Sequence, residues 1–308
     1  MVPFRPAPAS VLVQAVFVLA FASGGCIDLV GSDLNRYVER EEKHFSTSGT
    51  PDVTLATFDG SIEVRAWDKP EVQIVIEKRA ASKDAAATIQ VRADQSGDRV
   101  TVEATVPKSN GFGFHFGTSR AAKLIVMTPA NANVAARSGD GAIDIERIAG
   151  RFDLKSGDGS IHARDVHGDV KAQTGDGSIK VEGVDGVLDV DTGDGSVVAS
   201  GTMTSVRVHS GDGTITIRAD AGSAAKSDWD ITTGDGSITV ELPDGFNGEL
   251  DAHTGDGRIH VDNVTLSNVT GPIDKNTVKG TLGTGGRSVR VRTGDGSITL
   301  TSRGGRRS

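Results

Sequence analysis

Residues 156–182 read SGDGSIHARDVHGDVKAQTGDGSIKVE. The phrase Ser/Thr-Gly-Asp-Gly-Ser-Ile occurs twice in this stretch, eighteen residues apart. Working outward, Gly-Asp-Gly stands at 139–141, 157–159, 175–177, 193–195, 211–213, 234–236, 255–257 and 294–296. The first five copies keep a spacing of eighteen, and the later gaps are 23, 21 and 39. Gly285-Gly286 in GTGGRSVRV stands in as a degenerate copy within the longest gap. Phe58-Asp59-Gly60-Ser61-Ile62 reads as an early, divergent one. Fixed periodicity of this kind predicts a repeat architecture.

One unit can be dissected. Gly157-Asp158-Gly159 is a turn, and His167-Gly168 is a second turn. Between them Ile161 and Ala163 alternate with His162 and Arg164. After the second turn Val170 and Ala172 alternate with Lys171 and Gln173. A period of two makes both arms strands. The inward positions are small and apolar throughout: Ile143, Ile145, Phe152, Leu154, Ile179, Val181, Leu188, Val190, Val206, Val208, Ile215 and Ile217.

Two arrangements satisfy this pattern. In a meander, sequence neighbours pair as hairpins. In a solenoid, each unit is a coil, and equivalent strands stack in parallel at about 4.8 Å. Only equal coils give a reason for a constant eighteen with identical turns. The expected fold class is therefore all-β: a single-stranded parallel β-solenoid of about 18-residue coils with an irregular β-rich N-terminal cap. About ten coils would make a rod near 50 Å long.

Stacking would set Asp140, Asp158, Asp176, Asp194 and Asp212 in one column, with neighbours about 5 Å apart. Such a pair costs about 1 kcal/mol in water. Turn chemistry is one account of the repeated acid: Asp bonds nearby backbone N–H groups, Gly accepts positive φ, and adjacent Ser or Thr adds ladder hydrogen bonds. Metal is the sharper one, since calcium takes several oxygen ligands. The eighteen-residue period agrees with calcium-binding β-rolls, but the glycine spacing and the second acidic loop are missing. These five aspartates are thus weak calcium candidates, and no other metal, cofactor or catalytic residue is expected. Paired carboxylates near 5 Å would suit a retaining glycosidase. However, an acid written identically in every coil is architectural first. His162, His167 and His209 sit at outward or turn positions, and no Ser/His/Asp or Cys/His constellation is recognisable.

Composition agrees with thin layers. The 308 residues include 40 glycines and only 13 aromatics (10 Phe, 2 Trp, 1 Tyr), too few large side chains for one compact core. Stacked coils bury each other with Val, Ile, Leu and Ala. The net charge of -8 and the lack of a basic stripe argue against nucleic acid as a partner.

The N-terminus reads as a targeting segment. Val11–Ala22 is a twelve-residue apolar run behind Arg5, too short to span a bilayer and suited to a signal peptide. Ala20-Phe21-Ala22 fits ordinary cleavage. Ser23-Gly24-Gly25-Cys26 resembles a lipobox, although Ser23 occupies the usual Leu position. Cys26 is the chain's single cysteine, which makes it the expected lipidation site and rules out an internal disulfide. The expected divisions are a lipoprotein-type signal peptide at 1–25, a polar tether at 26–50 and an irregular β-rich part at 51–137. The regular repeats follow at 138–302, and a basic tail at 303–308. Phe112, Phe114 and Phe116 lie in a glycine-aromatic loop, NGFGFHFGTS, read as a buried flap or a contact patch.

GSIEVRAWDKPEVQIVIEKRA, LIVMTPANANVAARSGDGAIDI, the repeated TGDGSI and VKGTLGTGGRSVRVRTGDGSITL together carry a resemblance. Over roughly residues 45–302 the chain resembles the bacterial "putative adhesin" family of exported β-solenoid proteins. The resemblance implies a parallel β-solenoid, an envelope or surface location and no known catalytic residues. The expectation is a non-enzymatic, lipid-anchored envelope protein of adhesive or scaffolding role. Its partners would be an envelope polymer or protein, with self-association left open. A periplasmic partner in stress signalling or assembly is the alternative, and a polysaccharide-acting enzyme is a distant third.

Overall fold

In the computed structural model the described residues are 26–27, 37–107, 120–270 and 276–302. The expected signal segment, the loop with Phe112, Phe114 and Phe116, and the basic tail lie outside them. The described chain is all-β apart from one short helix, Lys83–Ala87, capped by the Ser82 hydroxyl. Its strands form a mixed sheet with two long ladders.

The downstream ladder collects the arms that follow each Gly-Asp-Gly. Its inward residues align in parallel register as Val126, Val64, Ile145, Ala163, Val181, Ala199, Ile217, Val240, Leu300 and Val261. The upstream ladder collects the arms that precede it. It aligns Val102, Leu55, Ala136, Leu154, Ala172, Val190, Val208, Ile231, Val291 and Ala252. The two inward sets meet in one continuous core, and all but Val261 are buried. Alternation makes this possible, because Val, Ile and Leu at every second position face inward while polar neighbours face water.

The spatial order is not the chain order. The coil of strands Asp52–Thr57 and Ile62–Trp67 lies between strands 99–129 and strands 133–146. At the other end, Ser288–Thr293 and Ile298–Ser302 lie between Trp229–Leu242 and the strands Gly248–Thr254 and Ile259–Asp262. The last strand pair in sequence is thus slotted between earlier strands in both ladders.

The outer charges suit that order. Along the outer face of the upstream ladder the register reads Asp153, Lys171, Asp189, Arg207, Asp230, Arg290, Asp251 and Lys279. The signs alternate at every step. Ion pairs close at 3.9 Å for Lys171–Asp189, 3.5 Å for Arg290–Asp230 and 3.5 Å for Lys279–Asp251. Stacking in chain order would set Asp230 beside Asp251, a like-charge contact that destabilises a sheet.

Both ends depart from the expected parallel pattern. At the start, Glu71–Ala80 pairs antiparallel with Ala121–Pro129, and Tyr37–Ser46 pairs antiparallel with Glu71–Ala80. Cys26–Ile27 adds to that edge, and Gln90–Ser96 folds back on Arg99–Thr105. The expected polar tether at 26–50 is therefore corrected over 37–46, which is a ten-residue strand. Its charges looked like a solvated linker but are matched across the strand pair: Lys78 meets Glu39 at 3.2 Å, and Arg40 meets Glu77. At the far end Thr277–Leu282 pairs antiparallel with Gly248–Thr254, and Leu266–Ser267 pairs with it in turn.

Candidate functional site

The feature repeated most often is the Ser/Thr-Gly-Asp-Gly turn, and its chemistry can be built up atom by atom. The hydroxyl residue ends each upstream strand and points inward. Ser138, Ser156, Thr174, Thr192, Ser210, Thr233, Thr254 and Thr293 are all buried. Each donates to the carbonyl of the last glycine in the adjacent turn: Ser156 to Gly141 at 2.9 Å, Thr174 to Gly159 at 2.9 Å, Thr192 to Gly177 at 3.0 Å and Ser210 to Gly195 at 3.0 Å. Thr233 continues to Gly213 at 2.8 Å, Thr293 to Gly236 at 2.7 Å and Thr254 to Gly296 at 2.7 Å. Ser138 reaches Gly60, so the divergent Phe-Asp-Gly copy belongs to the same series. Several of these hydroxyls also accept from their own turn, as Ser210 does from Gly213 N–H at 3.0 Å. A run of buried hydroxyls thus satisfies backbone groups that the sharp turn takes out of the strand ladder.

Glycine is required by the same closeness. A Cβ at Gly159 would lie 2.3 Å from the Gly141 carbonyl oxygen, and one at Gly157 would lie 2.2 Å from that of Gly139. No side chain fits where one turn lies directly on the next.

The aspartate has a different place from the one expected. Asp140, Asp158, Asp176, Asp194 and Asp212 are exposed, as are Asp235, Asp256 and Asp295. The tie that holds the turn is the buried hydroxyl one residue before the Gly-Asp-Gly, and no hydrogen bond from a described residue reaches the five carboxylates. They line one edge as a column. Among the described residues, no group of three or more His, Cys, Asp or Glu is placed to hold a metal ion. The signal for the hydroxyl ladder was present in the sequence, since Ser or Thr precedes every Gly-Asp-Gly.

The flat faces carry the remaining polar groups. On the downstream face Ser160, Ser178, Ser196, Thr214, Ser237 and Ser297 follow the turns. Next to them Thr216, Thr239 and Thr299 stand in register. His162 lies 3.3 Å from Asp144 of the adjacent coil, while His167 and His209 are exposed. A shallow cleft of about 270 Å³ on the upstream face is lined by Asp189, Arg207, Asp228, Asp230 and Arg290. Another, of about 260 Å³, is lined by Asp52, Arg99, Asn133, Arg151 and Asp153. Both follow the corner where coils enter the upstream ladder.

Two carboxyls in the N-terminal cap are shifted. Burial pushes Glu77 up, but hydrogen bonds from Arg79, at 2.8 Å, and from Arg40 outweigh it and hold the carboxyl below its ordinary value. The Gln73 amide beside Glu42 holds that carboxyl low, with His44 adding to the effect at 2.9 Å. Both groups join Tyr37–Ser46 to the rest of the cap.

The chain is similar to several solved structures. One is described as a putative cell adhesion protein from Clostridium sporogenes, at 12% identity and a TM-score of 0.26, covering 86% of this chain and 100% of that one. A second, a putative adhesin from Bacteroides fragilis, shows 13% identity and a TM-score of 0.35, covering 85% and 96%. A third, a putative lipid binding protein from Parabacteroides distasonis, shows 11% identity and a TM-score of 0.26, covering 85% and 96%. No curated protein matches the chain. A family model matches residues 51–301, which spans both ladders, and the chain belongs to the Toastrack DUF4097 family.

Proposed function

We propose that this is a non-enzymatic envelope protein whose stacked coils form a β-solenoid and whose flat faces serve as an adhesive or scaffolding surface. In this reading residues 1–25 are removed on export and Cys26 carries a lipid. The observation that carries the reading is repetition. The downstream ladder presents Asp, then Ser or Thr, then a further polar residue after five of the eight Gly-Asp-Gly turns: Asp158, Ser160, His162; Asp176, Ser178, Lys180; Asp212, Thr214, Thr216; Asp235, Ser237, Thr239; and Asp295, Ser297, Thr299. Rungs about 4.8 Å apart offer an extended polymer or protein the same weak contact many times, and linked weak contacts add up to avidity. A catalytic site instead concentrates unlike groups at one place.

The test is protease shaving of intact cells combined with metabolic lipid labelling. The reading expects a labelled protein that external protease removes, with the label lost in Cys26→Ala. A labelled protein that resists protease until the envelope is opened contradicts surface adhesion and favours the periplasmic reading. Absence of label on the native chain contradicts the anchor.

A further inference from the structure

The two ends of the stack are finished differently, and the difference leaves a place for one more strand. At the N-terminal end the antiparallel strands close over the core, and Leu124 and Val126 are fully buried. At the C-terminal end the ladders stop at different heights. The upstream ladder continues past Gly248–Thr254 with Thr277–Leu282 and then Leu266–Ser267. The downstream ladder stops at Ile259–Asp262, whose one partner among the described residues is Ile298–Ser302. The result is a ledge beside a wall two strands high, about 10 Å. Ile259, Val261, Val264 and Leu266 pack on the core there and stay only partly buried. The ledge runs into a cleft of about 240 Å³ lined by Leu242, Phe246, Val264, Leu282 and Ser302.

Backbone geometry shows which groups are free. Ile298 N–H donates to the Arg258 carbonyl at 2.9 Å, with Ile259 opposite Ile298. In a parallel ladder residues alternate between neighbours, so Arg258, His260 and Asp262 bond inward. Ile259 and Val261 therefore turn their N–H and C=O toward the ledge. Arg258 and Asp262 are exposed at its two ends, and neither has an ion-pair partner among the described residues.

We propose that this edge binds an extended segment of a partner polypeptide, which adds antiparallel to Ile259–Asp262 as a further strand. The segment is read as basic–apolar–any–apolar–acidic. Its basic residue faces Asp262, its apolar residues cover Val261 and Ile259, and its acidic residue faces Arg258. Main-chain bonds supply the attachment, and the alternate side chains and end charges set the register. A whole second copy fits less well, because its own two-strand wall would meet this one. The inference concerns the end of the stack, so it stands or falls separately from the proposed role of the faces.

The test uses purified full-length protein and a fluorescein-labelled peptide, Gly-Lys-Val-Thr-Val-Glu-Gly. Binding should be saturable, and a charge-swapped peptide with Glu and Lys exchanged should bind about tenfold or more weakly, a difference of about 1.4 kcal/mol. Val261→Pro should abolish binding while amide exchange at Ile298 stays slow, because Val261 N–H points away from the ladder and an edge proline is tolerated there. Arg258→Glu combined with Asp262→Lys should reverse the peptide preference. Equal binding of the two peptides, no binding of either at millimolar concentration, or unchanged binding by Val261→Pro each overturns the proposal. Sedimentation showing a dimer that Val261→Pro dissociates would also overturn it, by giving the edge to a second copy.

Discussion

The coils between Asn133 and Leu242 and the two ends of the stack obey different rules. In the middle, successive strands stand mostly eighteen or twenty-three positions apart, with a one-residue slip at Val184–Gly186, and the same hydroxyl, glycine and apolar columns run through the rungs. At the ends strands reverse direction, coils leave chain order, and matching comes from individual charge pairs. A repeat whose units are interchangeable is stable only while each has a neighbour on both sides. The ends have one neighbour, so they need elements the repeat does not encode.

Substitutions can sharpen this contrast, beginning with the largest effect. Gly177→Ala places a Cβ 2.3 Å from the Gly159 carbonyl oxygen, with backbone on both sides of the clash. A loss of about 3 kcal/mol or more is expected in thermal or denaturant unfolding. Gly97, at the turn of the N-terminal hairpin, has φ +60 and nothing within 4 Å of its would-be Cβ. Gly97→Asn should therefore cost under about 1 kcal/mol. Equal losses at the two glycines would erase the distinction between stacked and unstacked turns.

The hydroxyl ladder makes the next prediction. Ser210→Ala leaves the Gly213 N–H and the Gly195 carbonyl without their partner, at a cost of about 1–3 kcal/mol. Ser210→Thr should be nearly neutral, since Thr serves the same role at Thr192 and Thr233. In the strand that carries the cap, Thr128 is buried and its hydroxyl has no partner among the described residues, so Thr128→Val should be neutral or stabilising. Chemical denaturation of the three variants checks all of these outcomes.

Acid should loosen the cap before the coils. Glu77 and Glu42 titrate below their ordinary 4.5 in the folded protein. Their stabilising contribution is therefore fully present above the unfolded value and is lost as pH falls through the lower folded value. Amide exchange of Tyr37–Ser46 should rise on acidification below about pH 4.5 while that of Ile215–Ala219 stays slow. Glu77→Gln should remove much of this pH response.

The smallest effect belongs to the outer charges. Arg290→Asp would set three carboxylates in succession with Asp230 and Asp251. Arg290 and Asp230 are substantially exposed, so a cost below about 1 kcal/mol is expected, and it should shrink further in high salt.

Much of the middle could be read from the sequence, because alternation and an eighteen-residue period fix which side chains face inward. The inward residues named from the repeat, such as Phe152, Val190 and Ile217, are all buried. The ladder hydrogen bonds expected of Ser and Thr are present, whereas among the described residues no backbone group bonds the Asp side chains of the five regular turns. Aspartate was given that role because it bonds to a turn when the turn is isolated. In a stack the buried hydroxyl is closer to the displaced carbonyls and the acid is pushed to the edge. The order of the coils was not legible from spacing. The gap of 39 before the last repeat measures chain length and says nothing about which neighbour the coil joins. Only the sign of Asp230, Arg290 and Asp251, once two ladders are assumed, distinguishes the orders. The strand at 37–46 was hidden because matched charges on one strand look like a linker until the opposite strand is known.

The most direct test of the stacking order is a pair of engineered crosslinks in a Cys26→Ser background. Thr239 aligns with Thr299, and Thr299 aligns in turn with His260. Adjacent rungs are about 4.8 Å apart, within disulfide reach, while two rungs are about 9.6 Å apart and beyond it. Under mild oxidation Thr239→Cys with Thr299→Cys should form an intramolecular disulfide, and Thr239→Cys with His260→Cys should not. The opposite result would show that the coils stack in chain order and would contradict the account.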